Sequence, residues 1–266
     1  MKDASPADWR FVLATDLDGT FLGGTPDMRR RLYDWIDGNR HEVGLIYVTG
    51  RDPAFLPTIW DEGVPVPDYV VGDVGTTIAQ VAGRAIAPIP ALEAEIARRW
   101  GDRADTVRAL LADAPGLVEQ DTPFRYRMSY HYDPAAFDPS VIPPVEALGL
   151  DVLISHECYL DVLPGGVSKG PSLLRLMAHL GLVQDRVLVA GDTLNDLSMF
   201  QTGLAGAVVG GSEPALLKAV AALPRAHVCA VPGAGGILEA IAAHGLHAAV
   251  PRVPANPAAH TPEARA

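Results

Sequence analysis

Phe11-Val12-Leu13-Ala14-Thr15-Asp16-Leu17-Asp18-Gly19-Thr20 is the stretch that decides the fold. Its first five residues are apolar or β-branched and end at a Gly-bounded turn, the signature of a buried strand. The two aspartates follow at the strand's carboxyl end. Side chains two apart in an extended segment point the same way, so Asp16 and Asp18 can face one reacting group. Two acids aimed at one spot suit metal binding, covalent catalysis or acid–base work.

Three further segments follow the same grammar. Gly44-Leu45-Ile46-Tyr47-Val48 reads as a second buried strand and ends in Thr49-Gly50-Arg51. Lys169 lies in Gly165-Gly166-Val167-Ser168-Lys169-Gly170, just before a helical pattern of Leu173, Leu174, Met177 and Leu180. Arg186-Val187-Leu188-Val189-Ala190 runs into Gly191-Asp192-Thr193-Leu194-Asn195-Asp196. Each segment puts small, hydroxyl, basic or acidic residues at a strand's carboxyl end or a helix start. In open parallel α/β sheets that edge is where ligands bind.

In this order and spacing, over about residues 10–245, the motifs resemble the phosphatases of the haloacid dehalogenase superfamily, in the branch with an α/β cap inserted between the second and third motifs. That branch reads D-x-D-G-T, T-G-R, a K-G helix start and G-D-x-x-N-D-x-x-M; the last corresponds here to Gly191 through Met199. Pro67 to Thr76 and Tyr159 to Pro164 look most like the sucrose-phosphate phosphatases, and Tyr126 to Tyr132 loosely resembles a cap strand of that group.

The resemblance implies a role for each motif residue. Asp16, taken as the most exposed carboxylate at the strand end, would attack phosphorus and form an aspartyl-phosphate. Asp18 would protonate the departing sugar oxygen and later take a proton from water. Asp16, Asp18 (through its backbone carbonyl) and Asp192 would hold Mg²⁺, which accepts such an oxygen set. Thr49, Gly50, Lys169 and Asn195 would bind the phosphate, with Arg51 and Asp196 supporting them and Asp196 orienting metal waters or Lys169. The substrate implied is a phosphorylated sugar or glycoside, with sucrose 6-phosphate or a similar disaccharide phosphate as the best single choice. A phosphosugar mutase of the phosphomannomutase kind and a non-catalytic phosphosugar-binding protein stand as alternatives.

Other readings are excluded by what is missing. The Lys169 loop lacks the G-x-x-x-x-G-K-[ST] pattern of a nucleotide P-loop. Asp16 to Thr20 lacks the third acid and terminal Glu of a calcium loop. A net charge of −11 argues against nucleic acid as a partner, since its backbone demands a basic surface. No stretch approaches the ~20 apolar residues of a membrane helix, and the two cysteines, Cys158 and Cys229, suit buried thiols in a reducing compartment. A soluble, cytoplasmic protein is expected; the oligomeric state is not readable.

With 266 residues, 48% of them hydrophobic, the chain can form one large domain or a core with an inserted subdomain. Alternating strand and helix patterns predict a Rossmann-like parallel-sheet core over 1–83 and 165–247. Thr25 should cap a helix begun by Pro26, with Leu32, Trp35 and Ile36 as its buried stripe. A shorter helix is expected around Phe55 to Trp60, despite Pro57. Residues 84–164 read as the α/β cap. There Phe124, Tyr126, Met128, Tyr130 and Tyr132 alternate with Arg125, Arg127, Ser129 and His131, a half-buried antiparallel strand. The aromatic face is expected to be cap core, and His131 and His156 to be ordinary histidines. Gly233-Ala234-Gly235-Gly236 should form a turn before a last helix, and the Pro-rich 248–266 a disordered tail.

Overall fold

The structure, a computed structural model, describes residues 5–121, 125–155 and 158–252. Its strands are β1 (Phe11–Thr15), β2 (Val43–Val48), β3 (Tyr69–Gly72), β4 (Thr77–Ala82), β5 (Ala85–Pro88), β6 (Leu117–Glu119), β7 (Met128–Tyr132), β8 (Leu150–Ser155), β9 (Tyr159–Pro164), β10 (Val187–Gly191), β11 (Ala205–Gly210) and β12 (Ala226–Pro232). They form an eight-stranded sheet in the order β12-β11-β10-β1-β2-β3-β4-β5 and a four-stranded sheet in the order β6-β7-β9-β8. Neighbours from β12 to β3 pair in parallel, while β4 and β5 add antiparallel hairpins. The small sheet is wholly antiparallel. This is the expected α/β class, a mixed, mainly parallel sheet with helices.

The alternation of β1 explains why its run is apolar throughout. Phe11 and Leu13 enter one core layer, with Leu32, Trp35 and Ile36 of helix Pro26–Gly38 and Ile237 and Ile241 of helix Gly233–Ala243. Val12 and Ala14 enter the layer on the other face, with Leu173, Leu176 and Met177 of helix Lys169–Leu180. A strand covered on both faces has no polar side to show. Thr25 accepts the amide of Met28 and caps the first of these helices, as its sequence implies. Pro57 sits in the first turn of helix Leu56–Trp60, where its missing N–H is harmless.

Several expectations need adjustment. β5 lies beyond residue 84 yet pairs with β4, so the large sheet extends past the boundary read from the sequence. The alternating segment is a strand only over Met128–Tyr132; Phe124 and His156 fall outside the described residues, as does most of the Pro-rich tail. Met128 and Tyr130 do build the core of the small sheet, with Trp100, Val107 and Leu160. Arg127 and Ser129 on the opposite face are buried too, rather than solvated. The glycines 233–236 are not a turn; they are the first turn of the last helix. A Cβ on Gly233 would stand 2.1 Å from the carbonyl carbon of Gly23, so glycine is what allows this helix its close approach. Neither cysteine is in a disulfide, but only Cys229 is buried; Cys158 is exposed.

Candidate functional site

The site begins where β1 stops. The amide of Asp16 bonds to the Ala190 carbonyl at 2.9 Å, extending the β1–β10 ladder by one residue and fixing Asp16 beside the end of β10. The chain then turns sharply, with Gly19 at φ +77°. A Cβ there would sit 2.1 Å from Oδ2 of Asp192, so only glycine lets this turn lie against that carboxylate. Thr20 donates its hydroxyl to Asp192 Oδ1 at 2.7 Å. The DGT triplet thus holds the acid that ends β10.

Lys169 is the centre of the constellation. It is fully buried, and its ammonium donates to Asp16 Oδ1 (2.6 Å), Asp196 Oδ1 (2.7 Å) and Asn195 Oδ1 (2.9 Å). Those bonds use all three of its protons. Asp196, also buried, is in turn oriented by the amides of Asp192 and Thr193 on its Oδ2, at 2.9 and 3.1 Å. This is a capping box: Thr193 is the N-cap and Asp196 the third residue of the turn that follows. A local helix-start device therefore places the acid that holds Lys169. Burial works against the charge on Lys169, but Asp16 and Asp196 outweigh it and hold the ammonium above its ordinary range.

The two DxD carboxylates occupy opposite environments. Asp16 is 6% exposed, whereas the side chain of Asp18 is 55% exposed, the reverse of the expectation that Asp16 is the more open. A continuous buried strand end covers Asp16, while the turn at Gly19 swings Asp18 outward. Asp18 is gripped by Arg51, Nε to Oδ2 at 2.8 Å and Nη2 to Oδ1 at 2.5 Å. Thr49 is buried at the end of β2, its hydroxyl accepting the Arg51 amide at 3.1 Å.

Burial is the main force on Asp16 and pushes it up to about 8; repulsion from Asp196 and Asp192 adds to this and Lys169 opposes it. Oxygens of Asp16, Asp192 and Asp196 lie within 4.8 Å of one another. Three carboxylates face one ammonium, so the cluster has an excess of negative charge. Its donors are all hard oxygens, which fits a divalent cation of the Mg²⁺ type. Asp16 and Asp192, with the Asp18 carbonyl, would hold it, because both oxygens of Asp196 are already taken. An ion there must compete with the proton on Asp16, so Mg²⁺ affinity should rise by up to about tenfold per pH unit between about pH 6 and 8, then level off. Calorimetric titration across that range checks it; a flat profile would show that Asp16 is ionised without the metal.

Above these residues the small sheet forms the roof of a cleft of about 340 Å³. Asp16, Asp18, Gly50, Arg51 and Asn195 line its floor, while Gln120, Ser129, His131, Ser155, Tyr159 and Asp161 line the other side. Arg127 joins the two layers. Only 7% exposed, it meets Asp161 of the small sheet at 3.4 Å, and on the large-sheet side the Gly50 carbonyl at 3.3 Å and Asp73 at 3.4 Å. Ser129 donates to the same Asp161. Asp73 and Val74 have φ of +52° and +57°, a conformation that costs a β-branched residue dearly. Packing enforces it: the Val74 amide bonds to Thr49 O, and Gly75 lies against Ser168 and Lys169.

The structure brings together Asp16, Asp192, Asn195, Asp196 and Lys169, and places Asp18, Gly50 and Arg51 along the same cleft, with Thr49 buried at the end of β2. Arg127, Ser129 and Asp161 were not singled out from the sequence. The signal was present in the polar face of the alternating segment, of which Arg127, Ser129 and His131 line the cleft, while Arg125 is exposed and paired with Glu93. His131, expected to be an ordinary histidine, lines the cleft.

Comparison with known proteins gives a consistent set of relatives. A family model described as sucrose-6F-phosphate phosphohydrolase matches residues 9–245. A glucosylglycerol-phosphate synthase of Pseudomonas anguilliseptica is 43% identical over 237 residues, covering 88% of this chain. The chain spans only 31% of that protein's length. A mannosylfructose-phosphate phosphatase of Agrobacterium fabrum is 27% identical over 249 residues, 89% of this chain and 97% of that protein. Among solved structures, the sucrose-phosphatase of Synechocystis sp., determined with sucrose and phosphate, superposes with a TM-score of 0.80 at 27% identity, covering 89% of this chain and 98% of that one. Among the described residues no helix is long and apolar enough to cross a membrane.

Proposed function

Since this chain belongs to the sucrose-6F-phosphate phosphohydrolase family, within the haloacid dehalogenase superfamily, we propose that it is a Mg²⁺-dependent phosphatase that hydrolyses the phosphate ester of a small glycoside. The observation that carries this reading is the single cleft in which Asp16 and Asp18 face the polar side of the small sheet. One layer supplies phosphate chemistry and the other a hydrogen-bonding surface for hydroxyl groups.

Asp16 attacks phosphorus, forming an acyl phosphate as the bond to the glycoside oxygen breaks. Asp18, protonated, gives its proton to that oxygen. A water then attacks the same phosphorus and yields its proton to Asp18, freeing phosphate and restoring Asp16. The bidentate Arg51 pair holds Asp18 as a carboxylate, the form needed for the second step; the first step requires that pair to open. Lys169 keeps Asp16 aimed, and Thr49, the Gly50 amide and the Asn195 side chain border the space for the phosphate oxygens. Bound Mg²⁺ neutralises charge on the transferring phosphoryl group.

Kinship favours glycosides over simple hexose phosphates. The relatives' names point to glucosylglycerol phosphate, mannosylfructose phosphate and sucrose phosphate as the panel to test, with sucrose 6-phosphate the expectation from sequence and glucosylglycerol phosphate suggested by the higher identity. We expect the best of these to exceed glucose 6-phosphate in kcat/KM by at least about tenfold, about 1.4 kcal/mol of transition-state binding. His131→Ala should raise KM for that glycoside about tenfold and leave an aryl phosphate unaffected. Glucose 6-phosphate matching every glycoside would point to a general sugar phosphatase. Interconversion of hexose phosphates without phosphate release would point to a mutase.

A further inference from the structure

At the far edge of the large sheet a second set of ligand-bearing side chains converges, one that the phosphatase chemistry does not use. β12 is the terminal strand of the eight-stranded sheet and packs beneath helix Gly233–Ala243. His227 and Cys229 are two residues apart on that strand and so share a face. Glu239 descends onto it from the helix. His227 Nε2 lies 3.1 Å from Glu239 Oε1, and the imidazole nitrogen, thiol sulfur and carboxylate oxygen are all within 4.8 Å of one another.

We propose that His227, Cys229 and Glu239 form a zinc site that clips β12 to the last helix. A tetrahedral zinc ion, with bonds of about 2.0 Å to N and O and about 2.3 Å to S, brings its donors to about 3.3–3.7 Å from one another. His227 and Glu239 are already about that close, and the thiol, within 4.8 Å of both, needs to move by at most about 1.5 Å. The donor set selects the metal. Sulfur disfavours Mg²⁺ and Ca²⁺, whereas mixed N, S and O donors in a tetrahedron suit Zn²⁺.

The surroundings favour the site. Glu239 is held in place by the amides of Ala230 and Val231, which donate to its oxygens at 3.0 and 3.1 Å and at 3.0 Å respectively, an outer layer that orients the ligand. The Cys229 thiol now donates weakly to the carbonyls of His227 and Gly236. On binding, that thiol proton leaves for solvent and the sulfur becomes an anionic ligand. Thiolate and carboxylate then neutralise the dication. About a third of the His227 side chain is exposed, which leaves an approach for a water as fourth ligand.

The test titrates the 266-residue, Mg²⁺-loaded chain with Co²⁺, which reports tetrahedral sulfur ligation by colour. The expected result is a thiolate-to-cobalt charge-transfer band that saturates at one equivalent and is displaced by Zn²⁺, with a rise in Tm of several degrees. Cys229→Ser should abolish the band and His227→Ala weaken binding at least about tenfold, with aryl-phosphatase activity kept in both as evidence of folding. Cys158→Ser should retain the band. Cobalt in the Asp16–Asp192 cluster has only oxygen ligands and gives no sulfur band, so failure of the phosphatase reading would not mimic either result. Absence of the band in the parent protein, or its survival in Cys229→Ser, overturns the proposal.

Discussion

Lys169→Met is expected to be the most damaging single substitution in the chain. The ammonium is the common partner of Asp16, Asn195 and Asp196, and it is fully buried. Removing it leaves the buried Asp196 carboxylate without its counter-charge and Asp16 without its ion-pair partner, a loss that measures about 3–5 kcal/mol in comparable pairs. Against a total stability of about 5–15 kcal/mol this is a large fraction. Urea titration should show the midpoint falling with an unchanged slope, and kcat should drop at least about a thousandfold where the variant remains folded. Mg²⁺ should restore part of the stability, because a dication supplies some of the missing positive charge. A stable, active Lys169→Met protein would show that the lysine is a bystander.

Asp16→Asn separates function from stability in the opposite direction. Loss of the nucleophile should reduce turnover by at least about four orders of magnitude, and no phosphorylated peptide containing residue 16 should be trapped. The metal-free protein should nevertheless become more stable than the parent at alkaline pH. Asp16 is raised by burial from 3.8 in the unfolded chain to about 8, so folding favours its protonated form. That contribution is complete below about pH 4 and is lost as pH rises toward and through about 8. Asparagine stays neutral and escapes the loss. Thermal melts with chelator at pH 6 and pH 9 decide it: the advantage of the variant should widen between them, and Mg²⁺ should reverse it by binding the parent protein more tightly.

The legible part of the fold was the part with strict chemical grammar. The central strands β1, β2 and β10 read as unbroken apolar runs because both their faces are covered, and each of these runs leads into residues of the site. The helix starts at Thr25 and Lys169 were equally readable. The cap was harder. The period-two pattern around Tyr130 revealed two faces but not what each faces, since a polar face turned into a cleft and one turned to water have the same composition. Ser129 and Arg127 are buried for that reason. The relative exposure of Asp16 and Asp18 is not legible in the sequence, because it depends on the left-handed turn at Gly19 and on Arg51, which is distant in sequence. Gly233 to Gly236 resemble a loop by composition, yet they form a helical turn whose glycines are set by close neighbours: Gly23 at Gly233, Val231 and Met28 at Gly235, and Val231 and Val209 at Gly236.

The bridge through Arg127 has a kinetic consequence. A single guanidinium touches the carboxylate of Asp161 in one layer and, in the other, both Asp73 and the carbonyl of Gly50, the residue following Thr49. Parting the layers hydrates Asp73 and withdraws a positive charge from the loop beside the phosphate space in the same motion. The closed arrangement therefore has an electrostatic restoring force, and bulk salt screens it poorly because the charges are buried. On the proposed function, release of inorganic phosphate works against that force. Pre-steady-state kinetics test this for the proposed phosphatase: a burst of product equal to one enzyme equivalent is expected where release is slower than bond cleavage.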